Sequence, residues 1–339
     1  MSVVDVWGRL DALPRRRLAV LPTPLVEAPR LSKVVGGPPL WVKRDDLISF
    51  AFGGNKVRGL ELLLADALAR GCDVLVTGAG AQSNHVRATA TAAAVANLEM
   101  VALLWGEPPA RDDGNLRLTR LLGSEVHFTG SPDRSSVDPA IERTAEALRA
   151  KGRRPYPIPR GGACALGALG HALAARELAD QWQAMGSSPL RVVSAAGSGG
   201  TFAGWLLGNA WLGRPFTFEV VTVSRPADQL AARVFELARE ASELLGVPCP
   251  IEREEVIVHG GFIGAGYGVP TAEGSAAIGL AARTEGLFFD PTYTGKAFAW
   301  YAAAAASLPA DPVAFLHSGG EPTLFTGEGE WVSAALEVG

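Results

Sequence analysis

A chain of 339 residues, 48% apolar and 19% charged, is long enough to bury one large α/β core or two domains that share a cleft. Its net charge of −4 argues against nucleic acid or an anionic membrane as a partner, and its apolar runs are too short to span a bilayer. Three scattered cysteines (Cys72, Cys164, Cys249), none near a histidine, five histidines without metal-ligand spacing, and an N-terminus interrupted by Asp5 and Arg9 describe a reduced cytoplasmic protein with no metal site and no signal peptide.

Residues 1–40 are rich in proline and arginine, and Leu21-Pro22-Thr23-Pro24-Leu25 reads as an extended entry segment. Residues 40–44 read as a short strand. Asp45 and Asp46 lead into Phe52-Gly53-Gly54-Asn55-Lys56-Val57-Arg58, a loop that holds one of only five lysines. A lysine among small residues is either a solvated charge or an amine placed to form a Schiff base with an aldehyde. Leu60, Leu63, Leu64, Ala67 and Leu68 then make a helical stripe over 58–70, ended by Gly71.

Strand and helix alternate regularly from there. Strands are predicted at 74–77, 100–104, 126–128, 155–159, 192–195 and 218–223. Helices are predicted at 84–97, 115–122, 138–151 (capped by Asp138 or Ser136), 168–184, 201–212 and 228–245. A loop-rich stretch at 250–270, helices near 271–285 and 295–307, and a strand at 313–317 complete the pattern. Such repetition implies parallel sheets covered on both faces, with ligands outside the carboxyl ends of the strands. No internal repeat or flexible linker divides the chain, so any two domains must be made by chain crossing.

Three of the loops that follow strands are unusual. Gly78-Ala79-Gly80-Ala81-Gln82-Ser83-Asn84-His85 runs into a helix that Ser83 or Asn84 can cap, an end suited to a carboxylate or phosphate. Gly197-Ser198-Gly199-Gly200-Thr201 is an anion nest that lacks both the P-loop lysine and the dinucleotide spacing, which leaves room for a single phosphate. The third is spread over Gly266-Tyr267-Gly268, residues 290–296 and His317-Ser318-Gly319-Gly320. It offers two tyrosines as acid, base or orienting groups, and Thr294 and Ser318 as neutral hydroxyls for a ring nitrogen that need not be protonated. A lysine, a one-phosphate nest and a carboxylate-binding helix end together match pyridoxal 5′-phosphate and an amino-acid substrate.

With those motifs in order, and with Lys43-Arg44-Asp45-Asp46 and Gln82-to-Arg87 among them, the chain resembles the D-cysteine desulfhydrase and 1-aminocyclopropane-1-carboxylate (ACC) deaminase family over nearly its whole length. These are pyridoxal-phosphate enzymes of the tryptophan-synthase-β fold type. The resemblance implies a two-domain, three-layer α/β protein with mostly parallel sheets. A large cofactor-binding domain (1–55 and 165–339) would carry an inserted small domain (56–164) that closes on the substrate, and the protein would be a homodimer. By the same resemblance Lys56 would hold the cofactor aldehyde and Asn55 the ring hydroxyl oxygen. Gly197, Ser198, Gly199, Gly200 and Thr201 would bind the phosphate, with Thr294 and Ser318 at the ring. Ser83, Asn84 and His85 would receive the substrate carboxylate, with Ser83, Tyr267 and Tyr293 joining Lys56 as catalytic residues.

Within that family, deaminases resemble one another in a glutamate where this chain has Thr294 and an apolar residue where it has Ser318. Opening a cyclopropane ring offers no good leaving group, whereas a thiol with a pKa of about 8.5 departs readily. Neutral hydroxyls therefore favour β-elimination, D-cysteine giving pyruvate, sulfide and ammonia, over ACC deamination. Departures from the family pattern include Ala88, Glu321 after the final glycines, which either faces the cofactor or is a surface carboxylate, and Arg160 before Gly161-Gly162. Arg160 reads as a solvated charge that, if it reaches the cleft, would favour a second substrate anion, as in an L-cysteate sulfo-lyase. A non-catalytic binder of a phosphorylated metabolite is the alternative of another class.

Overall fold

The run of β-branched segments between alanine-rich stripes folds, in a computed structural model that describes residues 5–186 and 190–327, into two sheets flanked by helices. The strands are β1 (Leu25–Glu27), β2 (Leu40–Arg44), β3 (Val74–Ala79), β4 (Glu99–Leu104), β5 (Glu125–Phe128), β6 (Pro155–Pro157), β7 (Leu190–Ala196), β8 (Phe216–Thr222), β9 (Val258–His259) and β10 (Val313–His317). The helices are α1 (Val6–Asp11), α2 (Pro29–Val35), α3 (Lys56–Ala69), α4 (Asn84–Val95), α5 (Gly114–Leu121), α6 (Val137–Ala150), α7 (Ala165–Ala184), α8 (Gly200–Trp211), α9 (Ala227–Leu245), α10 (Ala272–Glu285) and α11 (Thr294–Ala304).

One sheet has the order β5-β4-β3-β6 and is parallel throughout. The other runs β1-β2-β10-β7-β8-β9 and is parallel except where β1 meets β2. Strands of the first sheet all fall between residues 74 and 157, and those of the second lie on either side of that stretch. Central strands such as β3 and β10 are buried along their whole length, as expected of strands covered on both faces. Separate apolar clusters fill the two faces of each sheet. No helix among the described residues is long and apolar enough to cross a membrane.

Most predicted elements are present, with ends moved by one to three residues. The pattern missed α1, β1, α2 and β9, whose short spans show no full hydrophobic period. Helix α3 starts at Lys56, so the lysine occupies a first helical turn and not a loop. Neither Asp138 nor Ser136 caps α6 with its side chain. The Asp138 carboxylate accepts the Arg160 backbone N–H at 3.1 Å instead.

Two features fix α3. Small residues let it approach α7, since a Cβ on Gly170 would lie 2.2 Å from the Arg58 carbonyl oxygen and one on Gly59 would lie 2.7 Å from that of Gly167. Beside that crossing is a buried ion cluster. Arg58 donates to Asp45 at 2.7 and 2.9 Å and to Glu177 of α7 at 2.9 and 3.0 Å, while Lys43 Nζ donates to Glu177 at 2.5 Å, Gln181 at 2.6 Å and the Thr23 carbonyl at 2.7 Å. Burial disfavours all these charges, yet Asp45 and Glu177 hold Arg58 above its ordinary value. For Lys43 burial wins over the pull of Glu177, and its ammonium is lowered.

Burial alone would raise the Glu177 carboxyl, but bonds to Arg58 and Lys43 bring it down to about 2 from an ordinary 4.5. A carboxyl held below its unfolded value adds stability that is complete above that value and is lost as pH falls through the folded one. The gap is worth about 3 kcal/mol. Glu177→Gln should therefore lower urea stability near neutral pH by about 3–5 kcal/mol, because Arg58 and Lys43 are left buried without their partner. It should also flatten the acid limb of stability between pH 4.5 and 2. An unchanged acid limb would assign that limb to other carboxyl groups.

Candidate active site

Loops at the carboxyl ends of strands from both sheets converge on one cavity. Beyond β3 the chain reaches Ser83, the N-cap of α4, whose Oγ accepts the Val86 N–H at 3.2 Å. Beyond β7, Gly197 to Gly199 turn into α8, with Gly199 in the left-handed region at φ +95°. Asn55 and Lys56 enter from the start of α3, and Ser318 from the end of β10. Helices α4 and α8 both bring their N-termini here, so unpaired backbone N–H groups and dipoles make the region receptive to anions.

Lys56 Nζ donates to the Gly161 carbonyl at 3.1 Å, and no Asp or Glu among the described residues stands in the cavity wall. Burial lowers its ammonium to about 8. His85 is buried with Nε2 3.0 Å from Thr77 Oγ1, and burial, with Lys56 adding to it, keeps the ring neutral by lowering it to about 3. Gly161 and Gly162 both have positive φ, and a Cβ on either would come within 3.1 Å of Ser198 Oγ or 2.9 Å of the His85 ring. Asn55 Nδ2 donates to Thr201 Oγ1 at 3.1 Å, and Asn84 Oδ1 accepts from Asn115 at 2.9 Å. From α4, Arg87 reaches back to donate to the carbonyls of Ala51 and Gly53, where Ala51, Phe52 and Gly53 all carry positive φ.

Tyr267 and Tyr293 meet hydroxyl to hydroxyl, with rings edge-on at 5.8 Å and Trp105 against Tyr267 at 5.7 Å. Burial raises both phenols above their ordinary value. Two buried groups outside the wall hold them. Asp290 accepts the N–H groups of Thr292, Tyr293 and Thr294 at 2.8–2.9 Å, and Lys296 Nζ donates to the carbonyls of Ile263 and Gly266 at 2.6 and 3.2 Å, next to Tyr267.

Of the residues predicted for the site, Lys56, Asn55, Ser83, Asn84, His85, Gly197, Ser198, Gly199, Thr201, Tyr267, Tyr293 and Ser318 line this cavity together. Gly200 stands just behind it, in the first turn of α8. Thr294 is not in the wall. Its hydroxyl donates to Asp290 Oδ1 at 2.8 Å and accepts the Asp290 N–H at 2.7 Å, so its one proton is spent inside the fold. Glu321 neither faces the cavity nor lies free on the surface. It is half-buried, with Oε1 3.9 Å from His317 Nε2, and burial raises it to about 7. Arg160, read as a solvated charge, lines the cavity, and so do Trp105, Arg134, Ser224 and Arg225, which the sequence reading passed over. All follow strands (β4, β5, β6 and β8), so the strand-end rule could have found them.

A sequence model described as pyridoxal-phosphate dependent enzyme matches residues 16–319. A D-cysteine desulfhydrase of Klebsiella pneumoniae is 40% identical over 328 residues, which cover 93% of this chain and 97% of that protein. The crystal structure of an ACC deaminase homologue has a TM-score of 0.89 at 33% identity, covering 98% of this chain and 99% of that one. The processed form of threonine deaminase isoform 2 from Solanum lycopersicum shares the fold alone, with a TM-score of 0.68 at 17% identity over 98% and 87% of the two chains. The cavity fits such a cofactor. A buried amine without an acid partner suits its aldehyde, and a glycine cradle at a helix N-terminus suits its phosphate.

The depressed amine has its own test. In cofactor-free protein an amine-reactive label should modify Lys56 with a midpoint near pH 8, faster at that pH than the exposed Lys33 and Lys151. Mass spectrometry of the labelled sites decides it, and a Lys56 slower than both would show the amine to be charged or shielded.

Proposed function

The chain belongs to the pyridoxal-phosphate dependent enzyme family, and we propose that within it the protein removes a β-substituent from a small amino acid, D-cysteine giving pyruvate, sulfide and ammonia. One observation carries this over ACC deamination: among the described residues the cavity wall offers hydroxyls, amides and guanidinium groups but no carboxylate, with Ser318 just after β10. A ring nitrogen without an anionic partner stays unprotonated and is a weaker electron sink, sufficient for a sulfur leaving group and poorly matched to a carbon one.

The roles follow from placement. Lys56 would hold the cofactor, with Asn55 beside the ring and Gly197 to Thr201 around the phosphate. The cofactor supplies an electron sink conjugated to the substrate α-carbon. Ser83, Asn84, His85 and the N-terminus of α4 would bind the substrate carboxylate and orient the α-carbon toward Lys56. The Lys56 amine, with a proton affinity brought close to neutral pH, would take the α-proton. The touching hydroxyls of Tyr267 and Tyr293 would donate to the departing group, and Trp105 would keep water from it. The segment 56–164, which carries the four-stranded sheet, would close over the substrate as a unit.

A panel of D- and L-cysteine and ACC, read for keto acid and sulfide, tests the reading. Sulfide from cysteine is expected, and 2-oxobutyrate from ACC without sulfide from cysteine would reverse the assignment. Lys56→Ala should abolish the near-visible band of the cofactor-bound protein. Tyr293→Phe should keep the band and lose about 10²-fold or more in kcat, the scale of a general acid. Protein that holds the cofactor but turns over no amino acid would leave a binder and not an enzyme.

A further inference from the structure

A second group of titratable side chains lies outside the cavity wall. Asp46 follows β2, His317 ends β10, and Glu321 stands four residues beyond it. One ligand atom from each, His317 Nε2 and a carboxylate oxygen of either acid, lies within 4.8 Å of the other two. His317 Nε2 is 3.9 Å from Asp46 Oδ2 and 3.9 Å from Glu321 Oε1, too far for a hydrogen bond to either. The His317 ring is 1% exposed, and among the described residues neither its Nε2 nor Glu321 Oε2 has a hydrogen-bond partner. Buried polar atoms are rarely left so. The guanidinium groups nearby are committed elsewhere. Arg44 is spent on Asp46 with bonds of 2.6–3.0 Å, and Arg87 on the carbonyls of Ala51 and Gly53.

We propose that Asp46, His317 and Glu321 form a binding site for a first-row divalent cation, of which Zn²⁺ and Mn²⁺ are the probes. Such an ion holds nitrogen and oxygen ligands at about 2.0–2.2 Å, which sets neighbouring ligand atoms about 3–4 Å apart. An imidazole beside two carboxylates suits these ions better than Mg²⁺ or Ca²⁺, which take oxygen ligands, and the absence of a thiolate from the set disfavours monovalent copper. Burial keeps His317 neutral, lowering it to about 4, the form a ligand must have. The bonds from Arg44 orient the Asp46 carboxylate, as outer partners of metal ligands do. A second cavity, lined by Arg44, Asp46, Phe52, Arg117, Glu321 and Phe325 among others, gives an ion its path and leaves room for water in its shell.

The cation site is separate from the reaction cavity but shares its frame. The Asp45 carbonyl accepts the Gly54 N–H at 2.9 Å, and the Ser318 carbonyl accepts the Asn55 N–H at 3.1 Å. An ion joining Asp46 to His317 and Glu321 would therefore tie together the two loops that seat the segment before Lys56. Histidine spacing hides this set, because its ligands sit on loops far apart in the chain.

The test uses the cofactor-loaded full chain, treated with EDTA, desalted and titrated calorimetrically with ZnCl₂ and with MnCl₂. One ion per chain is expected, with a rise in Tm on binding. Glu321→Gln, isosteric and at a partly exposed position, should weaken binding at least about tenfold and cancel the rise in Tm. His317→Gln should do the same. His127→Gln, which removes the exposed histidine 2.7 Å from Glu125, should change neither. No binding of either ion overturns the inference. So does an affinity that Glu321→Gln leaves unchanged, or one that His127→Gln alone abolishes, since the ion then sits elsewhere. Should His317→Gln fail to fold, the Glu321→Gln titration and its Tm decide the matter alone.

Discussion

The whole site hangs on the buried bond between Arg58 and its two carboxylates. Asp45 follows β2, Glu177 lies in the middle of α7, and Arg58 stands two residues after Lys56, so one guanidinium ties the lysine to both halves of its surroundings. Taking such charges out of water is expensive, and hydrophobic residues of similar volume would often pack as well. What the ion cluster adds here is register. The fork of Arg58 accepts only one rotation of α3 against α7, and the close glycine contacts at Gly59 and Gly170 allow only one depth. Lys56 then leaves the first turn of α3 in a single direction, toward the cavity.

The same cluster explains why the cavity is so poor in negative charge. Acidic side chains lie around the site, but four of them are consumed before they can face inward. Asp45 and Glu177 are consumed by Arg58 and Lys43, Asp46 by Arg44, and Asp290 by the backbone of residues 292–294. Acids build the frame, and amides, hydroxyls and guanidinium groups furnish the room. Burial lets a lysine in that room give up its proton more readily, which suits an amine that must be a nucleophile and then a base.

Much of this arrangement is legible in the sequence, because the alternation of strand and helix is local and the strand-end rule then says where to look. The twelve predicted residues that share one cavity come from three such loops and the lysine motif. What could not be read depends on contacts distant in sequence or on rotamers. Thr294 has the right chemistry, but Asp290, four residues earlier, captures its proton. Arg160 looks like a surface charge until the backbone carbonyl of Arg134, from a different loop, draws it to the cavity. Arg134 and Arg225 lie in loops that follow strands, as the strand-end rule asks, but only the convergence of the β5 and β8 ends brings them together. Helix α2 hides because its seven residues, opened by a proline, look like the proline-rich stretch around them.

The strap from Arg87 to the loop before Lys56 reaches further than its two bonds imply. Ala51 and Phe52 hold left-handed backbone conformations that L-residues avoid, at about 1 kcal/mol or more each. The Arg87 guanidinium, fixed on α4, keeps that loop in place through the carbonyls of Ala51 and Gly53. The helix whose N-terminus would take the substrate carboxylate and the segment that would deliver the lysine are thus one calliper. On the proposed roles, the jaw width is set for a carboxylate bonded directly to the carbon that loses its proton. A β-amino acid, with one more carbon between those groups, would put the wrong atom under the amine, so α-amino acids are selected by the frame before any side chain is inspected.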